Sequence, residues 1–302
     1  MRLLGPEATS DGRPVKKTPK APVSLSLAYS PSIKDTYLHA AWSNGLLPGV
    51  PRVRTTMENL ETLNTAAIAS RYEVTKTSYA TAALVTGDYR VLRSGSTIIV
   101  GNGPILIGRP DPSGALPTLD NLPADARIAI PGSLSTAYLL LRLALGREPI
   151  ISVMRHDRVV GAVARGEVDF GIAIDEARIA VAGSGLGPVV DLAEWWRQET
   201  GGPLPLAATM VRRDVPLDTA RAVRDTIRAS LAFAREHGLR IAPFVRGYSH
   251  ETDPAALYEH LGDTVNEYTN DVGEDGAAAV AELFARAADA GLIPARVQPE
   301  FV

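Results

Sequence analysis

Apolar and polar residues along this chain follow two rhythms in turn. In Val23-Ser-Leu-Ser-Leu-Ala-Tyr29 the apolar positions recur at every second residue, the period of a strand. Ser30-Pro31 breaks that run, and residues 35–42 predict a short helix. Val53-Arg-Thr-Thr is strand-like again, and residues 57–70 place Leu60, Leu63, Ala67 and Ile68 on one helical face. Tyr72-Glu-Val-Thr reads as a third strand, leading into a helix over residues 78–85. Strands alternating with helices predict a parallel sheet in an α/β unit. Residues 96–100 and 104–108 read as strands flanking Gly101-Asn102-Gly103, which is expected to be a tight turn or bulge.

A second series of the same kind begins at Arg127-Ile-Ala-Ile130. Pro131-Gly132-Ser133 ends that strand and a helix follows over 135–145. Residues 150–154 and 168–174 read as strands with a helix over 159–164 between them, and residues 206–212 as a strand returning toward the first unit. Between the two series, Arg109-Pro-Asp-Pro-Ser-Gly-Ala-Leu-Pro117 is dense in chain breakers and reads as an interdomain crossing. The rest is helical: Ala220, Val223, Ile227, Leu231 and Ala234 keep the spacing of one face, and Val280, Leu283, Phe284 and Ala287 that of another, in a last helix starting near 271–274. The expected organisation is a disordered tail over 1–22, a first lobe from 23–112 plus 209–302, and a second lobe from 113–208. Two α/β lobes joined this way describe a bilobed binding-protein architecture, whose ligand lies in the cleft between them.

Composition narrows the function classes. A chain of 302 residues suits two domains, and 45% hydrophobic with 22% charged residues is ordinary for a globular protein. A net charge of -3 with no basic cluster beyond the tail argues against general nucleic-acid binding. From His250 to Val302 there are eleven acidic and two basic residues, which predicts an acidic outer face. Without cysteine there are no disulfides or thiolate metal sites. Five histidines in no metal-binding spacing make a zinc site improbable, and only His156, His250 and His260 have polar neighbours. The N-terminal residues lack the apolar run of roughly 7–15 residues that a secretory signal needs. No span of about 20 apolar residues suits a membrane. A cytoplasmic location is expected.

Candidate chemistry sits on strand-to-helix turns. Ser30-Pro31-Ser32-Ile33-Lys34-Asp35-Thr36 is equally readable as a helix cap or as a ligand contact. Thr75-Lys76-Thr77-Ser78 sets a lysine and hydroxyls at a helix start, suited to a carboxylate, with a surface lysine beside a cap as the plainer reading. Pro131-Gly132-Ser133-Leu134-Ser135-Thr136-Ala137 is the best anion seat by sequence. Ile174-Asp175-Glu176-Ala177-Arg178 ends an apolar strand in two carboxylates and an arginine, at the sheet edge where α/β proteins bind ligands. Its plainer reading is an acidic pair at a helix start with Arg178 as structural partner, and on the residues alone that reading is preferred. Trp195 and Trp196 read as core before ligand contact.

These turns resemble those of the 1,4-dihydroxy-6-naphthoate synthase family, from the futalosine route to menaquinone. The first is similar to the family's Ser-Pro-Cys-Pro-Asn-Asp-Thr, the second to Ser-Lys-Leu-Ser, and Gly101-Asn102-Gly103-Pro104 to Gly-Cys-Gly-Pro. The third is similar to Pro-Gly-x-x-Thr-Thr-Ala, and the fourth to Ile-His-Glu-Gly-Arg. The resemblance runs from about Ser30 to the end and implies a type 2 periplasmic-binding-protein-like fold. It implies Asp175 as catalytic base where the family carries histidine. As substrate contacts it implies Ser30, Thr75, Lys76, Ser78, Asn102, Gly103, Ser135, Thr136, Ala137, Glu176 and Arg178. The exchange at 175 has consequences: aspartate is shorter, and unperturbed it titrates near 3.9 against about 6.5 for imidazole. Tyr248, His250, Asn266 and Tyr268, in stretches also similar to the family, are assigned to interlobe structure. The reaction implied is conversion of cyclic dehypoxanthine futalosine to 1,4-dihydroxy-6-naphthoate, without metal or organic cofactor. The partners expected are a small anionic substrate and at most a second copy of the chain. The alternatives are a relative acting on another small aromatic or polyhydroxylated carboxylate, and a non-catalytic solute-binding protein.

Overall fold

The computed structural model describes residues 24–248, 261–262 and 264–302. Two sheets organise it. The first takes β1 (Leu25–Tyr29), β2 (Val53–Met57), β3 (Val74–Ser78), β4 (Tyr89–Val91) and β5 (Thr97–Ile99). The second takes β6 (Ile105–Gly108), β7 (Arg127–Ile130), β8 (Ile150–Val153), β9 (Phe170–Ala173) and β10 (Gly187–Asp191). The long β11 (Leu204–Arg212) then returns to the first. Strand orders are β2-β1-β3-β11-β4, with β5 also on β11, and β10-β6-β9-β7-β8.

Each sheet is mixed, where the alternation of elements predicted a parallel one. β1, β2 and β3 are mutually parallel, as are β7, β8 and β9, because a helix links each to the next. β6 enters directly from β5 with no crossover helix and runs antiparallel to β9. β11 comes back antiparallel to β3, β4 and β5.

The interlobe passages also differ from expectation. They lie at residues 100–104, between β5 and β6, and at residues 201–203, before β11. Residues 109–117 instead follow β6 within the second unit. The Asp111 carboxylate there accepts hydrogen bonds from the amides of Ser113 and Ala115, so this punctuation marks an Asx turn and not a boundary. Strand β6 therefore belongs to the second lobe, and residues 204–208 to the first.

Helices begin where the sequence supplies caps. Ser32 caps α1 (Ile33–Ser43), Asn59 caps α2 (Leu60–Ile68), Ser78 caps α3 (Tyr79–Leu84) and Ser135 caps α4 (Thr136–Leu145). α5 spans His156–Ala164, and α6 (Leu192–Thr200) is capped by Asp191. The stripe foreseen on α7 (Leu217–Glu236) is buried and packs on α1. α8 (Gly238–Arg246) and α9 (Gly273–Asp289) follow. Trp196 is fully buried, its indole N–H donating to the Pro203 carbonyl, and Trp195 packs beside it. One apolar cluster runs through both units, joining Tyr79, Ile98 and Phe284 to Ile128, Leu140 and Phe170. Asn266 braces β5 through the Ile98 carbonyl at 2.8 Å, and Tyr268 donates to Asp275 at 2.6 Å. Tyr248 is exposed. His250 and His260 lie outside the described residues. No described helix is long and apolar enough to cross a membrane.

Candidate active site

A cavity of about 690 Å³ opens between the two sheets. Its walls come from the β1–α1 turn, the start of α2 and Lys76 on one side. The α4 and α5 starts and residues 174–179 form the other, and the passage at 100–104 with Leu206 and Ala207 of β11 closes the floor.

The first-lobe wall is a fixed charge cluster. Asp35 and Lys76 are each only 2% exposed and form an ion pair at 3.3 Å. The Lys76 ammonium also donates to the Gly95 carbonyl at 2.7 Å and the Thr97 hydroxyl at 3.2 Å. Gly95 must be glycine: its φ is +86°, and a Cβ would lie 2.5 Å from the Thr209 hydroxyl. Ser30 donates to the other Asp35 oxygen at 2.6 Å. Burial pushes the Asp35 carboxyl up, but Lys76, Lys34, His39 and the Ser30 bond together hold it below the usual carboxylate range. Behind it, fully buried His39 donates from Nδ1 to the Asp35 carbonyl and stacks on Tyr29 with centroids 4.4 Å apart. Burial lowers the His39 pKa to about 4, so this ring is neutral.

The second-lobe wall is tied to the first by a set of interlobe bonds. The Leu134 carbonyl accepts from Ser78 Oγ at 2.5 Å, Thr81 Oγ1 at 3.1 Å and Asn64 Nδ2 at 3.3 Å. Glu61 of α2 accepts from the Leu134 amide and the Ser133 hydroxyl, both at 3.1 Å. Its carboxylate fills the space beside Gly132, where a Cβ would meet it at 2.2 Å. The seat that sequence marked for a ligand anion thus holds a carboxylate of the chain itself. Thr136 bridges the lobes as well, accepting from the Ala80 amide at 3.1 Å and donating to the Leu206 carbonyl at 2.7 Å. Ser135 accepts from the Tyr138 amide as cap and donates to the Gly132 carbonyl.

Ser30, Lys76, Asn102, Gly103, Ser135, Thr136, Ala137 and Arg178 all line the cavity. Thr75 and Ser78 stand outside the lining: the Thr75 hydroxyl bonds the Lys76 carbonyl, and Ser78 is occupied by cap and interlobe bonds. Alternation along β3 sends Lys76 to the cavity and turns Thr75 away, whereas Ser78 shares the face of Lys76 but stands at the strand end, where cap and interlobe bonds take it up. Asn102 adopts φ +44° in the floor. Asp175 and Glu176 open a 3₁₀ segment, Asp175–Val181, between the lining residues Ile174 and Arg178; their side chains lie outside the described set. Arg178 donates to the Gly103 carbonyl and pairs with Asp191 at 3.3 Å, linking this turn to the floor and to the cap of α6. Sequence reasoning did not single out Glu61, Asn64 or Asp35 as site residues. An acidic or amide side chain early in a helix reads as ordinary capping until the opposite lobe is in place.

The chain matches a family model described as menaquinone biosynthesis over residues 25–289. It is 38% identical to the 1,4-dihydroxy-6-naphthoate synthase of Thermus thermophilus, over 92% of this chain and 99% of that one. Against the enzyme of the same name from Streptomyces coelicolor it is 36% identical, over 90% and 95%. Among solved structures it resembles a protein of Archaeoglobus fulgidus with TM-score 0.82 and 32% identity, covering 89% of this chain and 98% of that one. An alkanesulfonate-binding protein of Xanthomonas axonopodis aligns with TM-score 0.65 at 16% identity, over 91% and 96%, and shows the bilobed binding-protein fold alone. Kinship along nearly the whole length and an interlobe cavity built from the expected turns lead to one assignment: the chain belongs to the menaquinone biosynthesis family.

Proposed function

We propose that this chain is a 1,4-dihydroxy-6-naphthoate synthase, acting in the cytoplasm on cyclic dehypoxanthine futalosine. The observation that carries the reading is the identity to two synthases of that name, which spans both walls of the cavity. A volume of about 690 Å³ suits a bicyclic guest with its sugar-derived appendage. Pro31, Ile99, Ile179 and Leu206 supply apolar contact, while Arg178 and Lys34 supply positive charge for a carboxylate. In this reading Asp175 takes a proton from the substrate. The carbon–carbon bond to the sugar-derived part then breaks: that part leaves with a carbonyl at the deprotonated oxygen, and the bond's electron pair enters the ring as it becomes aromatic. The step calls for proton transfer and charge stabilisation, so the proposed lyase chemistry uses no metal or organic cofactor.

The test is product formation by purified protein from that substrate. Wild type should release 1,4-dihydroxy-6-naphthoate, and Asp175→Ala should lower kcat by about 100-fold or more. No turnover by pure wild type defeats the proposal. Asp175→His asks a narrower question: activity retained or raised means the cavity is still shaped for the same substrate. Activity abolished would favour a related carboxylate as the natural one.

A further inference from the structure

The cavity's described ionisable groups divide by whether the fold already occupies them. Asp35 and Lys76 hold each other. Glu61 accepts from Ser133 and Leu134, and Arg178 is engaged by Gly103 and Asp191. Lys34 adds its charge to the field on Asp35. Arg155 pairs with Asp157 at 2.5 Å, on the exposed side of the α5 start. His156 differs from all of these. It lines the cavity, is half-buried, and its Nδ1 is shut off from solvent with no hydrogen-bond partner among the described residues.

The Nδ1 side of the ring is closed to a guest as it is to water, so contact falls to the remaining part of this half-buried side chain, which borders the cavity. His156 is the first residue of α5, and α5 packs directly on the 3₁₀ segment that carries Asp175, Glu176 and Arg178. The imidazole therefore borders the same wall from which the proposed base arises. Arg155 and Asp157, its charged chain neighbours, bond each other through two hydrogen bonds, and Asp157 also feels the charge of His156.

Resting on the function proposed above, we propose that His156 is a second acid–base residue of this site, touching the substrate and working with Asp175. Asp175 takes the proton of a hydroxyl on the sugar-derived carbon at the scissile bond. As the carbon–carbon bond breaks, that oxygen closes a carbonyl and the sugar-derived part leaves as the carbonyl compound. The bond's pair enters the ring, and protonated His156 gives a proton to the ring oxygen on which charge collects, becoming neutral imidazole. Between turnovers Asp175 gives up its proton and His156 regains one from solvent, so both residues return to their starting forms.

His156→Gln keeps a polar side chain of similar reach but carries no transferable proton in the working range. Steady-state kinetics with cyclic dehypoxanthine futalosine should show kcat lowered about 100-fold, KM changed by less than about threefold, and the alkaline limb of the kcat profile flattened. If kcat stays within about threefold of wild type, or only KM rises, His156 is a wall of the cavity and the proposal is overturned. Circular dichroism of the variant, matching wild type, separates loss of chemistry from loss of fold. A second arm needs no turnover. The His156 imidazole proton signals, identified by their disappearance in His156→Gln, should shift when 1,4-dihydroxy-6-naphthoate is added to wild type. Signals that stay in place overturn the contact. Were wild type inactive on the futalosine substrate while these signals still moved, the function would be wrong and the histidine's contact with an aromatic guest would stand.

Discussion

The two walls of the cavity hold charge in opposite ways. On the first lobe, Asp35, Lys76 and Ser30 are buried, bonded to one another and backed by a neutral histidine. On the second, Arg178 and His156 are half-buried and stand on helix starts and a 3₁₀ turn. A dry, fully paired cluster is a fixed electrostatic surface: little about it changes when a guest arrives. Half-exposed groups on turns keep part of their surface open to a guest, even where, as at Arg178, the fold already holds the side chain. The difference teaches that a residue lining a cavity is not thereby a reactive one. Lys76 is the charged residue that sequence put forward for carboxylate binding, yet its cation is committed to Asp35 and two backing oxygens.

The sharpest way to break this contrast is to unpair the buried side. Lys76→Met leaves the Asp35 carboxylate buried without its cation and should cost about 3–5 kcal/mol in denaturant unfolding. Asp35→Asn combined with Lys76→Met should cost less than the two single changes added together, since no isolated charge remains. An unchanged midpoint for Lys76→Met would show that the pair does not matter to the fold.

The next effect is on acid stability. The folded-state pKa of His39 is about 4, while an unfolded histidine titrates near 6.5. Between these values the unfolded chain binds a proton that the folded chain refuses. Stability should therefore fall as pH drops from about 6.5 to about 4, by about 3 kcal/mol from this group, and level off below. His39→Gln removes the titration, so its stability curve should be flatter than that of wild type across this window. Equal slopes for the two proteins would remove the neutral histidine from the account.

A smaller effect sharpens the role of the interlobe bonds. Glu61→Gln weakens the charged contact to Ser133 and Leu134 and should cost about 1–3 kcal/mol. The same variant should expand slightly in small-angle scattering and raise KM more than it lowers kcat. If dimensions and KM are both unchanged, Glu61 does not help hold the lobes together.

Much of this was legible in the chain. The caps Ser32, Ser78, Ser135 and Asp191 fall where polar residues precede apolar runs, and the stripes of α7 and α9 are the buried faces their spacing predicted. The misreadings have physical causes. The Pro-rich run at 109–117 looked like a boundary because turns and linkers share a composition. Thr75 and Ser78 looked like ligand contacts because Lys76 does line the cavity, yet a strand shows Thr75 to the opposite face, and Ser78 is claimed by the α3 cap and the Leu134 carbonyl.

By itself, then, the sequence determined the local elements, their starts and the turns that carry polar groups, because caps and periodicity act within a few residues. It also placed an acid at position 175. Only the tertiary structure decided which of those polar groups remain available. Glu61 reaches Leu134 across 73 positions, and Lys76 meets Asp35 across the sheet edge. Such pairings depend on which strands become neighbours, and no local pattern encodes that.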